Sequence, residues 1–305
     1  MRTDTPGTIS LVTHVIALFG PTAVGKTDVA LALARRLRDR GQRPVAVGAD
    51  ALQVYAGLEV LTGAADAAQR ADLEHRLVGF VPITETCSAG AYARLAHAEI
   101  DGLLADGATP IVVGGTGLYL RAALADLGMR PPPRPGVRER LTAEMEADGP
   151  EALHARLREE LPDVAARIQP TDRTRVIRAL ELHEQGVAHG DGGELWTSAT
   201  RHPTRLIGLT MDRATLAQRI GERVDTMVAA GAVEEVRRAD AEGASHTARA
   251  ALGFTELLHG DISATKTRTR RYAKRQLTWM RKLPGAELVD VTGRDPADVA
   301  AALLP

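Results

Sequence analysis

VTHVIALFGPTAVGKTDVALALARRLRDR, residues 12–40, is the stretch on which the fold turns. Its first eight residues form a short, mostly apolar run of the kind buried parallel strands give, and its last thirteen place apolar side chains at helical spacing. Between them Gly20-x4-Gly25-Lys26-Thr27 completes a Walker A pattern in the strand, loop, helix context that its mechanism needs. In such a loop the backbone N–H groups of Gly20, Thr22, Ala23, Val24 and Gly25 and the helix N-terminus surround a phosphate chain. Lys26 neutralises its charge and the Thr27 hydroxyl is placed to ligate Mg²⁺. The motif reports a diphosphate or triphosphate ligand and leaves open what happens to its terminal group.

The rest of the chain repeats that alternation. PVAVGAD (44–50) reads as a strand ending at Asp50, a helix is expected from Ala89 to Leu104, and TPIVVGG (109–115) is the next strand. RPPPRPG (130–136) breaks the pattern, and charged helical segments then run from Val137 to Gln185 without a convincing strand. HGDGG (189–193) reads as a loop, TRLIGLTM (204–211) as a strand, 213–230 and 266–283 as helices, and AELVDVTG (286–293) with DPADVAAALL (295–304) as a last strand and helix. The expected fold is therefore α/β: a P-loop NTPase-like parallel sheet flanked by helices, with an all-helical insertion. The core is drawn at 1–135 and 202–305 and the insertion at 136–201.

Composition narrows the function classes. At 305 residues with 44% hydrophobic and 25% charged content the chain is globular, and with only 3% aromatic residues its core must be aliphatic. The single cysteine, Cys87, excludes an internal disulfide framework and a cysteine-based zinc cluster. Neither a leader pattern at residues 1–10 nor an apolar run long enough for a membrane span is present, so a cytoplasmic protein is expected. A formal net charge of −1 gives no global attraction to nucleic acid, yet eight basic residues and no acidic one lie between Ile262 and Ala286: Lys266, Arg268, Arg270, Arg271, Lys274, Arg275, Arg281 and Lys282. Within that segment Tyr272, Gln276, Trp279 and Leu283 fall on one helical stripe, which by itself predicts packing on the core.

Asp50, at a strand end on the edge where open α/β sheets bind ligands, is either a cap or a working carboxylate on local grounds alone. Its surroundings add a resemblance. GADALQVYAGLEVLTG (48–63), GGTGLYLRAAL (114–124) and TRRYAKRQLTWMRK (269–282), collinear with the P-loop, resemble signature segments of the tRNA dimethylallyltransferases. LHARLREELPDVAARIQPTDRTRVIRALEL (153–182) and MDRATLAQRIGERVDTMVAAGAVEEV (211–236) are similar to weaker family segments.

The resemblance implies transfer of a dimethylallyl group from dimethylallyl diphosphate to the exocyclic N6 amine of the adenosine 3′-adjacent to the tRNA anticodon. Partners are then the tRNA anticodon stem-loop and the donor, with Mg²⁺ as cofactor and a monomer as the working unit. Asp50 matches the catalytic aspartate, Thr116 the threonine that positions the amine, and Arg213 an arginine reaching the diphosphate. Positions matching RNA contacts are Asp50, Ala51, Leu52, Gln53 and Thr116, then Arg138, Arg175 and Arg178 in the insertion. Gly253, Lys274, Arg275, Gln276, Trp279 and Arg281 complete them. The chain departs from the pattern at Ala51, where the family usually has Ser, at Ala56, at Thr62-Gly63-Ala64 in place of Thr-Ala-Lys, and at His75-Arg76 in place of paired histidines; HGDGGELW replaces the usual linker. These changes remove a hydroxyl and two positive charges. An enzyme acting on free adenine nucleotides, a small-molecule P-loop kinase and a weakly catalytic tRNA-binding paralogue are the alternative readings.

Overall fold

The computed structural model describes residues 15–190 and 193–304. Residues 12–14 of the expected first strand and 191–192 of the expected loop lie outside that range. Six strands form one sheet: β1 (Val15–Phe19), β2 (Arg43–Gly48), β3 (His75–Arg76), β4 (Ala108–Gly114), β5 (Thr204–Thr210) and β6 (Glu287–Asp290). Their order is β3-β2-β4-β1-β5-β6 and every pairing is parallel. β1 is central, with Ile16 opposite Ile111 of β4 and Leu18 opposite Ile207 of β5. All five residues of β1 are buried, as a parallel strand covered on both faces requires, and this is why its sequence is uniformly apolar rather than alternating.

The helix Lys26–Asp39 buries Val29, Leu33 and Leu37 in one cluster with Leu18, Ile111 and Leu209 of the strands and with Val299, Ala300 and Leu303 of the helix Pro296–Leu303. Three neighbouring strands, β2, β4 and β1, end on the same edge. They deliver Asp50, Gly115 with Thr116, and the P-loop there, the C-terminal edge at which open parallel sheets hold ligands.

Two compact units are present: residues 1–127 with 195–305, and residues 128–194. The sequence drew the insertion at 136–201. The return to the core comes earlier because Arg121, 3% exposed, donates to the carbonyls of Leu195 (3.2 Å) and Ala199 (3.2 Å), while Arg201 N–H donates to Leu124 O (2.8 Å). The smaller unit packs the helices Val137–Asp148, Pro150–Glu160 and Arg173–Glu184 around Leu141, Met145, Leu153, Leu157, Val176 and Leu180. Elements that the sequence reading did not place include β3 and the helices Glu59–Thr62, Ala67–Asp72, Gly117–Leu124, Ala232–Ala241 and Phe254–Leu258.

Candidate active site

The P-loop takes the form its sequence demands. Gly25 (φ 97°) and Ala23 (φ 67°) adopt left-handed backbone, which turns successive N–H groups inward as an anion-binding nest. Thr22, Ala23, Gly25, Lys26 and Thr27 line a cavity of about 530 Å³, while the Val24 side chain is buried in the core. Lys26 Nζ donates to Gly20 O and Pro21 O, each at 3.0 Å, so the lysine is held by its own loop. Burial pushes its pKa down from 10.5 to about 8, against the Asp50 carboxylate, which favours the charged form, and with the help of the Arg223 cation, which disfavours it.

Asp50 stands two residues beyond β2 and lines the same cavity. Its Oδ1 accepts the Leu52 N–H (3.1 Å) and, more weakly, the Thr116 hydroxyl (3.4 Å). Thr116 precedes the helix Gly117–Leu124 but makes no capping bond; its hydroxyl instead accepts the Ala51 N–H (3.2 Å) and lies 3.2 Å from the Tyr272 hydroxyl. With Thr116 donating to Asp50, Tyr272 is the donor in that last pair. Burial, followed by the charge of Asp50, raises the Tyr272 pKa and keeps it a phenol. Among the described residues, Asp50 Oδ2 accepts no hydrogen bond. One carboxylate oxygen is therefore anchored, and the other is available to accept a proton.

The glycines of GGTG are explained by what approaches them. A Cβ at Gly115 would overlap Gln276 Nε2, and one at Gly117 would overlap the Trp279 ring. Both intruders come from the helix Ile262–Met280. Gln276 Oε1 accepts the Thr22 N–H (2.8 Å) and its Nε2 donates to Gly115 O (2.8 Å), so one amide ties the P-loop to the turn after β4. The stripe on that helix behaves as its spacing predicts: Gln276 is 4% exposed, Leu283 is buried, and Tyr272 and Trp279 are half-buried.

Other residues singled out from sequence fall elsewhere. Arg213 is exposed at the start of the helix Arg213–Ala229 and does not line the cavity, because it lies in the first turn; Arg219 and Arg223, about two and three turns on, do line it. Arg223 donates to Thr62 O (3.2 Å) and Gly63 O (3.4 Å), beside Gln53, which donates to the same two carbonyls (3.2 and 3.3 Å). Their signal in the sequence was the i, i+4 pair of arginines on a helix already placed near the phosphate site. Leu52 and Gln53 line the cavity; Ala51 contributes its backbone to Thr116. Gln276, matched to RNA, has both ends of its amide occupied by backbone. Gly253 (φ 91°) starts the helix Phe254–Leu258, packed against Thr265 and Leu61.

In the smaller unit Arg138 and Arg178 are bound to Glu181, which is fully buried: Arg138 at 2.5 and 2.8 Å, Arg178 at 2.9 Å with a further bond to Pro131 O (2.6 Å). Buried carboxylates need such partners, and this commitment holds both guanidinium groups in place. Arg175 is exposed, 3.4 Å from Asp172. Of the eight basic residues near the C-terminus, Lys266 pairs with Asp225 (2.7 Å) and Arg268 with Glu256 (2.7 Å); Arg270, Arg271, Lys274, Arg275, Arg281 and Lys282 are exposed.

Thr27 lines the cavity on the P-loop side, where its hydroxyl would be offered to a cation. Among the described residues no cluster of three or more His, Cys, Asp or Glu side chains is gathered to hold an ion. A hydroxyl beside a phosphate cradle fits Mg²⁺, which keeps several waters and takes its remaining ligands from a phosphate chain.

A phosphate cradle and a half-anchored carboxylate on one cavity agree with the family expected from the motifs. The IPP transferase family model matches residues 53–283. The chain belongs to the IPP transferase family. It is 40% identical over 302 residues to the tRNA dimethylallyltransferase of Thermobifida fusca, covering 95% of this chain and 94% of that protein. Among solved structures, the full-length tRNA isopentenylpyrophosphate transferase of Bacillus halodurans is similar with a TM-score of 0.66 and 31% identity, over 95% of this chain and 94% of that one. A eukaryotic dimethylallyltransferase captured acting on tRNA is similar with a TM-score of 0.74 and 25% identity, over 95% of this chain and 77% of that one. No helix among the described residues is long and apolar enough to cross a membrane.

Proposed function

We propose that this chain is a tRNA dimethylallyltransferase that moves the dimethylallyl group of dimethylallyl diphosphate to the N6 amine of the adenosine 3′-adjacent to the anticodon. The observation that carries the reading is the sharing of one cavity by Lys26 and Asp50, with one Asp50 oxygen left open. The allylic C1–O bond breaks with its electron pair leaving on the diphosphate, whose growing charge the Lys26 ammonium and the loop N–H groups stabilise. The N6 lone pair forms the new N–C1 bond, and the amine proton passes to Asp50 Oδ2. The Leu52 N–H and the Thr116 hydroxyl, itself backed by the Tyr272 hydroxyl, hold Asp50 Oδ1, so the carboxylate keeps its orientation as it takes that proton. Thr27 would hold Mg²⁺, which adds Lewis-acid stabilisation of the leaving diphosphate.

The protein acts on the anticodon stem-loop, as a monomer, in the cytoplasm. Labelled dimethylallyl diphosphate and unmodified tRNA, incubated with the protein and digested to nucleosides, should give one prenylated adenosine and free diphosphate in equal amounts. Label on free adenine nucleotides instead of RNA would move the assignment to a nucleotide-directed enzyme, and stoichiometric ADP from added ATP would move it to a kinase.

A further inference from the structure

The chain has two tryptophans, Trp196 and Trp279, and they meet: ring centroids 4.7 Å apart, planes tilted by 45°. Neither is buried, and a half-exposed indole pair stands out in a chain with only 3% aromatic residues. Trp279 is fixed from behind by Gly117, whose missing side chain leaves room for the indole edge. Trp196 is fixed by its own segment, since Leu195 O and Ala199 O accept from buried Arg121. Lys282 Nζ lies 5.3 Å from the centre of the Trp196 ring, and exposed Arg281 is its chain neighbour. Along the helix Ile262–Met280, Thr265, Thr269, Tyr272 and Gln276 line the donor cavity, and Trp279 follows Gln276 after three residues, about 4.5 Å of rise. The indole pair therefore continues the cavity's rim in the direction of the basic surface.

Preorganised aromatic faces with cations at their border are the recurring means by which proteins hold unstacked bases, because every base offers a π-face and every nucleotide a phosphate. We propose that Trp196, Trp279 and Lys282 form a stacking shelf for an unpaired RNA base that neighbours the target adenosine. The shelf grips the base once the loop is opened, while Lys282 meets its phosphate. The proposal rests on the RNA-directed reading above. Trp196 lies in the GELW segment that departs from the family linker.

Because the two shelf residues are the chain's only tryptophans, their fluorescence reports the site directly. An anticodon stem-loop should quench it in the wild-type protein. The same RNA with an abasic nucleotide on either side of the target adenosine should, in one of the two cases, lose the quench and bind about 5- to 100-fold more weakly. Trp196→Leu, which keeps an apolar side chain against Trp279, should raise the KM for RNA by a similar factor and leave the affinity for inorganic diphosphate unchanged. Equal binding of the intact and both abasic loops by wild-type protein overturns the shelf while leaving RNA prenylation standing, and this comparison does not depend on any variant folding. Failure of wild type to bind the intact loop overturns the RNA reading and the shelf together.

Discussion

Gln276 is the residue whose role the sequence and the structure describe most differently, and substituting it tests the architecture of the site. Gln276→Leu keeps the volume and removes both polar ends, leaving the Thr22 N–H and the Gly115 carbonyl without their partner. An orphaned buried polar group costs about 1–3 kcal/mol. Gly115 O is enclosed and takes the full cost, while the Thr22 N–H borders the cavity, where water reaches it, and falls at the low end, so the loss of stability should be about 2–4 kcal/mol. At about 2–4 °C in Tm for each kcal/mol, this predicts a fall of about 4–16 °C. Inorganic diphosphate should also bind more weakly, because the Thr22 end of the P-loop is no longer tied to the turn after β4. Thermal unfolding followed by far-UV circular dichroism, with diphosphate titration by calorimetry, reads both quantities. An unchanged Tm together with a specific loss of RNA affinity would refute the reasoning and restore Gln276 to an RNA contact.

Three further outcomes follow from the same geometry. Asp50→Asn preserves size and one acceptor oxygen, so single-turnover prenyl transfer should slow by about 10²- to 10⁴-fold while donor and RNA affinities stay within a few-fold; equal rates would make Asp50 a structural group. Affinity of the free protein for diphosphate should fall as pH rises through about 8, where the Lys26 ammonium loses its proton, and Lys26→Ala should flatten that dependence. The sign for stability is the opposite: between about 8 and 10.5 the unfolded chain binds the proton that the folded chain has released, so this lysine's contribution to ligand-free stability rises with pH in that window. RNA binding should weaken with salt along a linear log–log slope, and replacing Lys274 and Arg275 together, both exposed, should make that slope shallower by about 1–2.

Much of this was legible in the sequence because it rests on local rules. The strand, loop, helix context of residues 15–39 follows from run length and periodicity, and β1, β2, β4 and β5 were each placed to within two residues of their ends over the described range. β3 was not readable: it is two residues long and exists only because β2 offers Ala46 and Val47 an edge to pair with. The candidate site was readable where a residue sits in a local motif or at a strand end, as do Lys26 and Asp50, which line one cavity. It was not readable where the function of a side chain depends on what approaches it in space. Nothing local distinguishes Gln276 as a strut from Gln276 as a base reader; the i,i+3 spacing pairs Arg178 with Glu181, but nothing local brings Arg138 to them or buries the glutamate, which in a charged helix reads as solvated until the three residues are seen together.

The departures at Gly63 and Ala64 make the same point for the cavity's charge. Counted along the chain, they remove a lysine from the donor side. In space, a Cβ at Gly63 would overlap the Arg223 guanidinium, which lies against the Thr62 and Gly63 carbonyls and lines the cavity with Lys26 and Arg219. Burial lowers the Arg223 pKa, with Asp50 and then Asp28 opposing that shift, and an arginine begins so high that it keeps its charge. Three cations therefore border the phosphate cradle although one matched position is neutral. What stabilises a leaving diphosphate is the field at its oxygens, and that field depends on which cations reach the cavity, whatever their place in the sequence. Gly63→Ala should accordingly act through Arg223: both the added methyl and the left-handed φ of 56° oppose it, so the guanidinium is displaced and diphosphate affinity falls even though no charge has been removed.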